Sequence, residues 1–279
     1  MQLISSEEQV RQNIPNVLVT VEGEPSLLEK LTPFIEQAEG WLAENFTSAE
    51  LLQTIAAEEE GSTLKSLCIR IVITEAFRTA VPSLDVILTP NGFGIVNNTN
   101  VVPASRDRVE RLLLSLENSR DELLISLLRV LYVHEGWQGT KQEEYFSSTL
   151  FPNPSVCHEI DIREHLWQEY QTLVPQLQNI ERVLAETYFS EEQMKVFRQL
   201  SMRWDPAASP LVRSVIITIR HLILMVQTKH QLHVQQYYDV VNIIREHPDL
   251  FPAWHSSPVA ELYTPPVFKN KKKSSAYWF

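Results

Sequence analysis

Apolar residues recur at helical spacing along most of the chain. They lie three or four positions apart between residues 26 and 45, and similar runs return over residues 64–76, 109–131, 166–184, 211–228 and 237–244. Such a period places apolar side chains on one face of an α-helix, so the pattern predicts a succession of amphipathic helices. Because helices of this kind must bury their apolar faces against one another, we expect a mainly α protein built as a helical bundle.

Three predicted helix starts carry a Ser or Thr followed three residues later by Glu or Gln. This arrangement satisfies backbone N–H groups that the first helical turn leaves without partners. The pairs are Ser26 with Glu29, Thr47 with Glu50, and Ser190 with Gln193. The third predicted helix contains the β-branched run IRIVIT, so a strand is the alternative there.

One segment departs from the helical period. In TPNGFGIVNN, residues 89–98, apolar residues flank Asn91-Gly92, a dipeptide that tolerates the positive φ of a tight turn. The pattern predicts a β-hairpin over residues 84–98. The triplet GFG also matches the start of a nucleotide-binding loop, but the third glycine is missing and helical periodicity resumes only at Val109. A hairpin therefore accounts for this segment better than a phosphate-binding loop does.

The periodicity divides the chain into four regions. Residues 1–135 form an N-terminal helical region that includes the hairpin, residues 136–160 a connecting loop, residues 161–250 a C-terminal helical region, and residues 251–279 an extended tail. The loop and the tail are predicted where Gly and Pro interrupt the helical pattern. The expected fold is thus a helical bundle with a small β-hairpin insertion and an extended C-terminal tail.

Charge is distributed unevenly along the chain. The formal net charge is −11, yet residues 1–268 carry 20 basic residues against 35 acidic ones, and four lysines lie in the tail KNKKKSSAYWF. An acidic body argues against a broad nucleic-acid-binding surface, because phosphate contacts need clustered Lys and Arg. Only the tail has a composition suited to contact with DNA.

The most apolar segment is PLVRSVIITIRHLILMVQTKHQ, residues 210–231. Arg213, Arg220 and His221 interrupt it, and each charge would cost about 2.5 kcal/mol or more at the centre of a bilayer. A buried core helix is therefore the better interpretation, and we expect no membrane contact.

Residues with catalytic or metal-binding chemistry do not form a recognised motif. His221, His230 and His233 lie in or just after the apolar segment, and imidazoles at such spacing can share a metal ion, so a cytosolic metal- or ligand-binding enzyme is an alternative function. Cys68 and Cys157 lack metal-ligand spacing, and Cys68 lies in an apolar run typical of a buried thiol. We expect no catalytic residue, no cofactor and no metal.

Three stretches of the chain carry a resemblance to a protein family. LDVILTPNGFGIVNNTNVVPASRDRVERLL, EEYFSSTLFPN and EHLWQEYQTLVPQLQNIERVLAE are similar to a largely uncharacterised family of tailed-phage and prophage proteins from gut bacteria. Members of that family tend to be encoded among virion structural genes. The likeness covers approximately residues 64–202. The N-terminal helices also look like those of phage head–tail adaptors, which are small helical subunits arranged as a ring beneath the portal.

The resemblance implies a structural component of the virion, which assembles in the host cytoplasm, rather than an enzyme. A head–tail connector or adaptor would form a homo-oligomeric ring, and a tail or baseplate component is the alternative within the virion. Implied partners are further copies of the chain and neighbouring portal, capsid or tail subunits, with DNA contact open to the Lys-rich tail. The candidate contact residues are Asn91, Gly92, Phe93, Lys271, Lys272, Lys273, Tyr277, Trp278 and Phe279.

Overall fold

Two compact units make up the fold. Unit 1 comprises Met1–Ser147 and Asn153–Thr172, and unit 2 comprises Ser148–Pro152 and Leu173–Phe279. The structure, a computed structural model, gives the backbone alone for residues 86–89 and 92–95. The residues it describes are 3–14, 25–84, 86–89, 92–95, 105–203 and 208–264.

Unit 1 is built around α4, which packs against both α2 and α5 and buries a continuous run of side chains from Ile71 to Phe77. The helices of this unit are α1 (Glu7–Asn13), α2 (Leu27–Leu42), α3 (Ala49–Ala56), α4 (Thr63–Ala80), α5 (Arg106–Leu131), α6 (Lys141–Phe146) and α7 (Val156–Glu159). Helix α8 (Leu166–Leu184) begins in unit 1, and the division between the units falls inside it.

Unit 2 contains the remainder of α8 and the helices that follow it. These are α9 (Glu191–Met202), α10 (Pro210–Lys229), α11 (Val234–Glu246), α12 (Pro252–His255) and α13 (Pro258–Tyr263). Its core includes Phe197, Ile219, Ile223 and Phe251, all of which are fully buried. The mainly α prediction is therefore confirmed in both units.

The helix starts largely follow the sequence pattern. The run IRIVIT lies in α4, so it is helical and not a strand. Ser26 and Ser190 cap α2 and α9 as expected, by accepting hydrogen bonds from backbone N–H groups of the first turn. The Thr47 prediction is wrong, because Ser48 adopts the cap position before α3 and accepts the N–H of Leu51.

Two short strands lie between α4 and α5. Strand β1 (Val86–Thr89) pairs antiparallel with β2 (Gly92–Ile95), with Val86 opposite Ile95 and Thr89 opposite Gly92. Gly92 and Phe93 therefore belong to β2, whereas the sequence placed Gly92 in the turn. Asn91 lies outside the described residues.

Two predicted irregular regions contain helices. The region 136–160, predicted as a connecting loop, includes α6 and α7 and the buried side chains of Trp137 and Phe146. The tail predicted from residue 251 is wrong for its first part, because α12 and α13 occupy residues 252–263. Each begins with a proline at its first position, where the missing N–H costs nothing, so these prolines start helices rather than end them. Residues 265–279 lie outside the described part of the chain.

The helices α2 and α8 end in the same way. Each passes into a π-helical turn, Ala43–Thr47 after α2 and Ala185–Phe189 after α8. Each turn closes with a 2.9 Å hydrogen bond from the N–H of a serine to the carbonyl five residues earlier. The φ angle of Ser48 is 84° and that of Ser190 is 60°. Each of these serines caps the next helix. The two turns have the sequences LAENFTS and LAETYFS, residues 42–48 and 184–190.

A buried tryptophan fastens each π-helical turn. The indole Nε1–H of Trp137 donates a hydrogen bond of 2.6 Å to the carbonyl oxygen of Phe46, and that of Trp254 donates one of 2.8 Å to the carbonyl oxygen of Tyr188. Carbonyl groups at a helix end lack intrahelical donors, and a buried one needs a partner from elsewhere. Both tryptophans supply that partner from a distant part of the chain.

The hydroxyl groups after the two tryptophans are also equivalent. Thr140 Oγ1 donates to Trp137 O at 2.8 Å, and Ser257 Oγ donates to Trp254 O at 2.6 Å. Each of these hydroxyl residues directly precedes a six-residue helix, α6 in unit 1 and α13 in unit 2. The segment that follows each tryptophan is therefore built alike.

The helices between each π-helical turn and its tryptophan have buried residues at the same spacing. On α4 the buried residues Leu64, Cys68, Ile71 and Glu75 have the same spacing as the buried residues Val212, Ile216, Ile219 and Ile223 on α10. On α5 the buried residues Leu124, Leu127, Leu128 and Leu131 have the same spacing as Tyr237, Val240, Val241 and Ile244 on α11. The two units therefore share the order of these helices, the spacing of these buried positions and the hydrogen bonds at the turns, and we call this shared arrangement the repeat.

Helix α10 is the one helix in the described part of the chain that is long and apolar enough to cross a membrane. It also carries Arg213 and Arg220, and Arg220 lies over the ring of Phe151 in unit 2 with 4.8 Å between the guanidinium carbon and the ring centroid. Its buried positions coincide with those of α4, the core helix of unit 1. The helix is buried on one side only: 39% of its most apolar 18-residue stretch is buried, whereas Ile217 is 58% exposed.

Replacing Trp137 or Trp254 by Phe tests the anchoring role of the indole groups. Each substitution leaves a buried carbonyl without its donor, and we expect the free energy of unfolding to fall by about 1–3 kcal/mol in either case. Chemical denaturation measures the change. Trp41→Phe is the matched control, because Trp41 is only partly buried and its indole has no hydrogen bond within the described residues. A loss in the control equal to that of the two anchors would contradict the role of these bonds.

Candidate functional site

Comparison of the two repeats isolates the part of unit 1 that has no counterpart in unit 2. By the matching positions of α5 and α11, Asp121 is equivalent to Val234, the first residue of α11. Helix α5 therefore extends through residues 106–120 beyond the shared scaffold. Residues 230–233 connect α10 to α11, whereas residues 81–105 connect α4 to α5. We call residues 81–120, which include β1, β2 and the first half of α5, the extension of unit 1.

The extension joins the shared scaffold at a buried charge network. The guanidinium group of Arg120, 4% exposed, donates to Asp121 Oδ1 at 2.7 and 2.9 Å and to Glu75 Oε2 at 2.8 Å. It also lies over the ring of Trp41, with its carbon 5.3 Å from the ring centroid. Arg120 thus links the base of the extension to α4 and α2.

The remaining contacts of this network satisfy its carboxylates. Arg78 forms two hydrogen bonds with Glu75, and the pKa of Glu75 is held below its usual value by Arg78 and Arg120 despite the opposing effect of burial. Asp121 is fully buried, and its second oxygen accepts the backbone N–H of Trp167 at 3.1 Å. Buried charges are tolerated where each is paired and hydrogen-bonded, as these are.

Each repeat also buries one glutamate at the same position of its first long helix. Glu39 Oε1 accepts the backbone N–H of Leu3 at 2.8 Å, and Glu181 Oε1 accepts that of Leu150 at 2.7 Å. Burial raises the pKa of both carboxyl groups, that of Glu181 to about 7. Glu181 additionally accepts from Arg198 Nε at 2.9 Å.

Aromatic rings in unit 1 form a covered cluster beside the π-helical turn. The ring of Trp167 lies 4.6 Å from that of Phe46, and the ring of Tyr170 stacks on that of Phe146 at 6.0 Å, measured between centroids. Trp167 and Tyr170 come from the stretch that follows the repeat, at the start of α8. This stretch therefore closes the aromatic end of unit 1.

The equivalent end of unit 2 is open in the described part of the chain. Tyr188 and Tyr263 take the places of Phe46 and Phe146, with 6.4 Å between their centroids. Tyr238 lies edge-on at 5.8 Å from Tyr188 and 6.0 Å from Tyr263, yet it remains 43% exposed, and Leu262 is 75% exposed. With Val234, one helical turn before Tyr238, these residues form what we call the tyrosine face.

Most residues singled out in the sequence as protein contacts lie outside the described part of the chain. This applies to Asn91 and to the tail residues Lys271, Lys272, Lys273, Tyr277, Trp278 and Phe279. Gly92 and Phe93 lie in β2, for which the backbone alone is described. The sequence did not identify Arg120, Glu75, Glu181 or Trp254. The repetition of LAENFTS and LAETYFS, residues 42–48 and 184–190, was a signal for the two turns, but it does not include these four residues.

The residues considered for other chemistry are not assembled into a site. No group of three or more His, Cys, Asp or Glu side chains in the described part of the chain could hold a metal ion, and His221, His230 and His233 lie within that part. Cys68 and Cys157 are buried free thiols, as expected for Cys68, and burial raises the pKa of each to about 12. A thiol so difficult to ionise is a poor nucleophile.

Comparison with known families gives one match. Residues 14–147 match the model of a family of unknown function, DUF6712. The matched residues all belong to unit 1. No curated protein and no solved structure matches the chain at a significant level.

Arg120→Met tests the charge network at the base of the extension. Removing the guanidinium group leaves Asp121 buried without its cationic partner and Glu75 with Arg78 alone, and we expect a loss of about 3–5 kcal/mol in the free energy of unfolding. Arg106→Met is the matched control: Arg106 pairs with Glu110 on the same helix, but its side chain is 89% exposed. An exposed pair contributes about 0–1 kcal/mol. Similar losses in the two variants, measured by denaturant titration, would refute a special role for Arg120.

Glu181→Gln tests the raised pKa in unit 2. Because the folded-state pKa of Glu181, about 7, lies above the usual value of 4.5 for this group, the folded protein binds this proton more tightly than the unfolded chain does. The resulting stability is complete below about pH 4.5 and is lost as the pH rises through about 7. The parent protein should therefore lose stability relative to Glu181→Gln over this interval.

The control for this pH dependence is Glu191→Gln. Glu191 also pairs with Arg198, at 2.6 Å, but its side chain is 61% exposed. Denaturation across the same pH interval should show no comparable divergence between this variant and the parent. If Glu181→Gln followed the parent at every pH, the carboxyl group would not have a raised pKa.

Proposed function

We propose that the chain is a structural protein of a tailed phage virion, acting as a head–tail connector or adaptor subunit that assembles into a homo-oligomeric ring. Its neighbours would be portal, capsid or tail subunits, and its location the virion. The proposal is supported by the resemblance of residues 64–202 to virion proteins and by a helical fold suited to a rigid subunit. Within the fold, the observation that carries it is the extension of unit 1.

The extension is dispensable for closing the repeat. Four residues, 230–233, suffice to connect α10 to α11 in unit 2, so the longer connection in unit 1 is not required to bring α4 and α5 together. Sequence added to a scaffold at one connection commonly carries function, because the rigid elements below hold it in place. We therefore assign the contacts with neighbouring subunits to the β1–β2 hairpin and the first half of α5.

The first half of α5 has the surface expected of a contact element. Before Leu116, none of its side chains is fully buried, and the consecutive residues Leu112, Leu113 and Leu114 are only half-buried. Apolar groups left partly in water favour association, because their burial against another subunit removes that surface from solvent. The pair of strands that precedes this helix in the chain adds backbone groups suited to pairing with a neighbouring chain.

Shortening the extension tests the proposed assembly. In the variant, a short Gly-Ser linker replaces residues 85–104, and we expect the ring to be lost while the free energy of unfolding stays within about 1 kcal/mol of the parent, since loop length has a small effect on stability. Native mass spectrometry and light scattering measure the oligomer.

A matched control replaces residues 230–233 of unit 2 with a Gly-Ser linker of equal length. This change alters the equivalent connection of the other repeat and should leave assembly intact. A parent protein that remains monomeric at all concentrations, or a shortened variant that forms the same ring, would overturn the proposal.

A further inference from the structure

A short stretch of unit 1 folds back onto α5. We call this stretch, residues 156–167, the clasp; it begins with α7 and ends with Trp167. Its two ends are buried through the side chains of Val156, Cys157, Leu166 and Trp167, whereas the residues between them are exposed or half-buried. The ring of Trp167 lies against that of Phe46 in the aromatic cluster. The clasp thus closes the aromatic end of unit 1, although its middle buries little surface of its own.

The backbone of the clasp has two residues in a conformation that L-amino acids rarely adopt. Asp161 has a φ angle of 63° and His165 one of 55°. Both values lie in the left-handed region, which is unfavourable for residues other than glycine. A backbone of this kind persists only where its surroundings hold it. Because the middle of the clasp buries little surface, polar contacts with α5 have to provide that hold.

Two histidines make those contacts. His158 Nε2 lies 3.3 Å from Glu122 Oε1, and His165 Nδ1 lies 3.1 Å from Glu117 Oε2. Both pairs are open to water, since the side chain of His158 is 31% exposed and that of His165 47% exposed. Protons from the solvent therefore reach both imidazoles without any unfolding of unit 1.

The charged groups around the two histidines are mostly carboxylates. On the helices beside the clasp they are Glu117, Arg120, Asp121 and Glu122 of α5, Arg78 of α4 and Glu169 of α8. Within the clasp they are Glu159, Asp161, Arg163 and Glu164. Arg78 and Arg120 both bind Glu75. Arg163 pairs with Asp161 at 3.0 Å. Each histidine is thus in contact with a carboxylate, while the cations nearby bind other acids.

We propose that the clasp is a pH-dependent closure, held on α5 while His158 and His165 are protonated and opening more often as they lose the proton. Histidine is the side chain that commonly changes charge between about pH 5 and pH 8, a range in which glutamate is usually ionised. A protonated imidazole forms a charge-assisted hydrogen bond with a carboxylate, and such bonds are stronger than neutral ones. The hold on the clasp is therefore greatest at the acidic end of this range and is lost as the pH rises.

Opening of the clasp uncovers the aromatic end of unit 1. Trp167 leaves the ring of Phe46, and Cys157, which is buried with its Sγ 3.6 Å from the carbonyl oxygen of Leu166, becomes accessible. Cys68 stays covered, because it is buried in α4 at the centre of the unit. The proposal concerns unit 1 of a single chain and does not rest on the proposed function.

The rate at which Cys157 reacts with iodoacetamide in the full chain measures the opening. The variant His158→Gln/His165→Gln keeps a hydrogen-bond donor at both positions but cannot take up the charge. At about pH 6 we expect Cys157 to react about fivefold faster in this variant than in the parent, because two partly exposed ion pairs are lost. At about pH 8 the two proteins should react equally fast, since the histidines of the parent are then neutral.

The design separates opening from the chemistry of the thiol. Comparing two proteins at the same pH cancels the effect of pH on thiolate formation. Peptide mass spectrometry gives a rate for each cysteine, so Cys68 serves as a control within the same molecule. A second control is His221→Gln, which removes an exposed histidine of α10 and should leave the rate at Cys157 unchanged.

A variant with a permanent charge tests the proposal from the other side. In His158→Lys/His165→Lys, the positive charges remain at alkaline pH, so Cys157 should react about fivefold more slowly than in the parent at about pH 8. Equal rates in the parent and the glutamine variant at the acidic pH, or the same acceleration at both pH values, would overturn the proposal. A parallel acceleration at Cys68 would also overturn it, because the whole unit would then be opening.

Discussion

One hydrogen bond recurs at the centre of both units: a buried indole N–H meets the carbonyl oxygen that a π-helical turn leaves without a partner. The turn puts one extra residue into the end of a long helix, and the serine after it takes a positive φ at which an L-amino acid is strained. Such a turn persists only if its surroundings hold it. Trp137 and Trp254 do so from more than 60 residues away in the chain, and the two segments that carry them are thereby fixed in place.

The same scaffold is used with different chemistry at matching positions. Where unit 1 has Glu75 and Asp121, unit 2 has the buried Ile223 and the partly exposed Val234, so charged residues in one repeat correspond to apolar residues in the other. The shared elements are those that close the repeat: the π-helical turn, the serine cap, the tryptophan and the buried glutamate. The two units differ most at the connection that follows α4 in unit 1 and α10 in unit 2, and at their aromatic ends.

Local signals in the sequence predicted the helices well but not how the chain is divided. Helical periodicity and the caps at Ser26 and Ser190 depend on residues close in sequence, so they could be predicted from the sequence. Pro252 and Pro258 looked like the end of regular structure, because a proline can end a helix as well as begin one. The pairing of Trp254 with Tyr188, and of Arg120 with Glu75, joins residues distant in sequence, and no local pattern reveals either bond.

The position of the charge network explains why it is retained although apolar residues serve at the same place in unit 2. Replacing a buried ion pair by apolar side chains is often neutral or stabilising, so the network is not needed for the stability of the repeat. The network instead restricts the orientation of α5. Arg120 contacts Asp121 on its own helix, Glu75 on α4 and the ring of Trp41 on α2 in one arrangement of these helices. A sliding or rotated α5 would leave these charges unpaired. Because Arg120 lies where α5 leaves the shared scaffold, the network orients the residues that precede it, as the proposed role of those residues in subunit contacts requires.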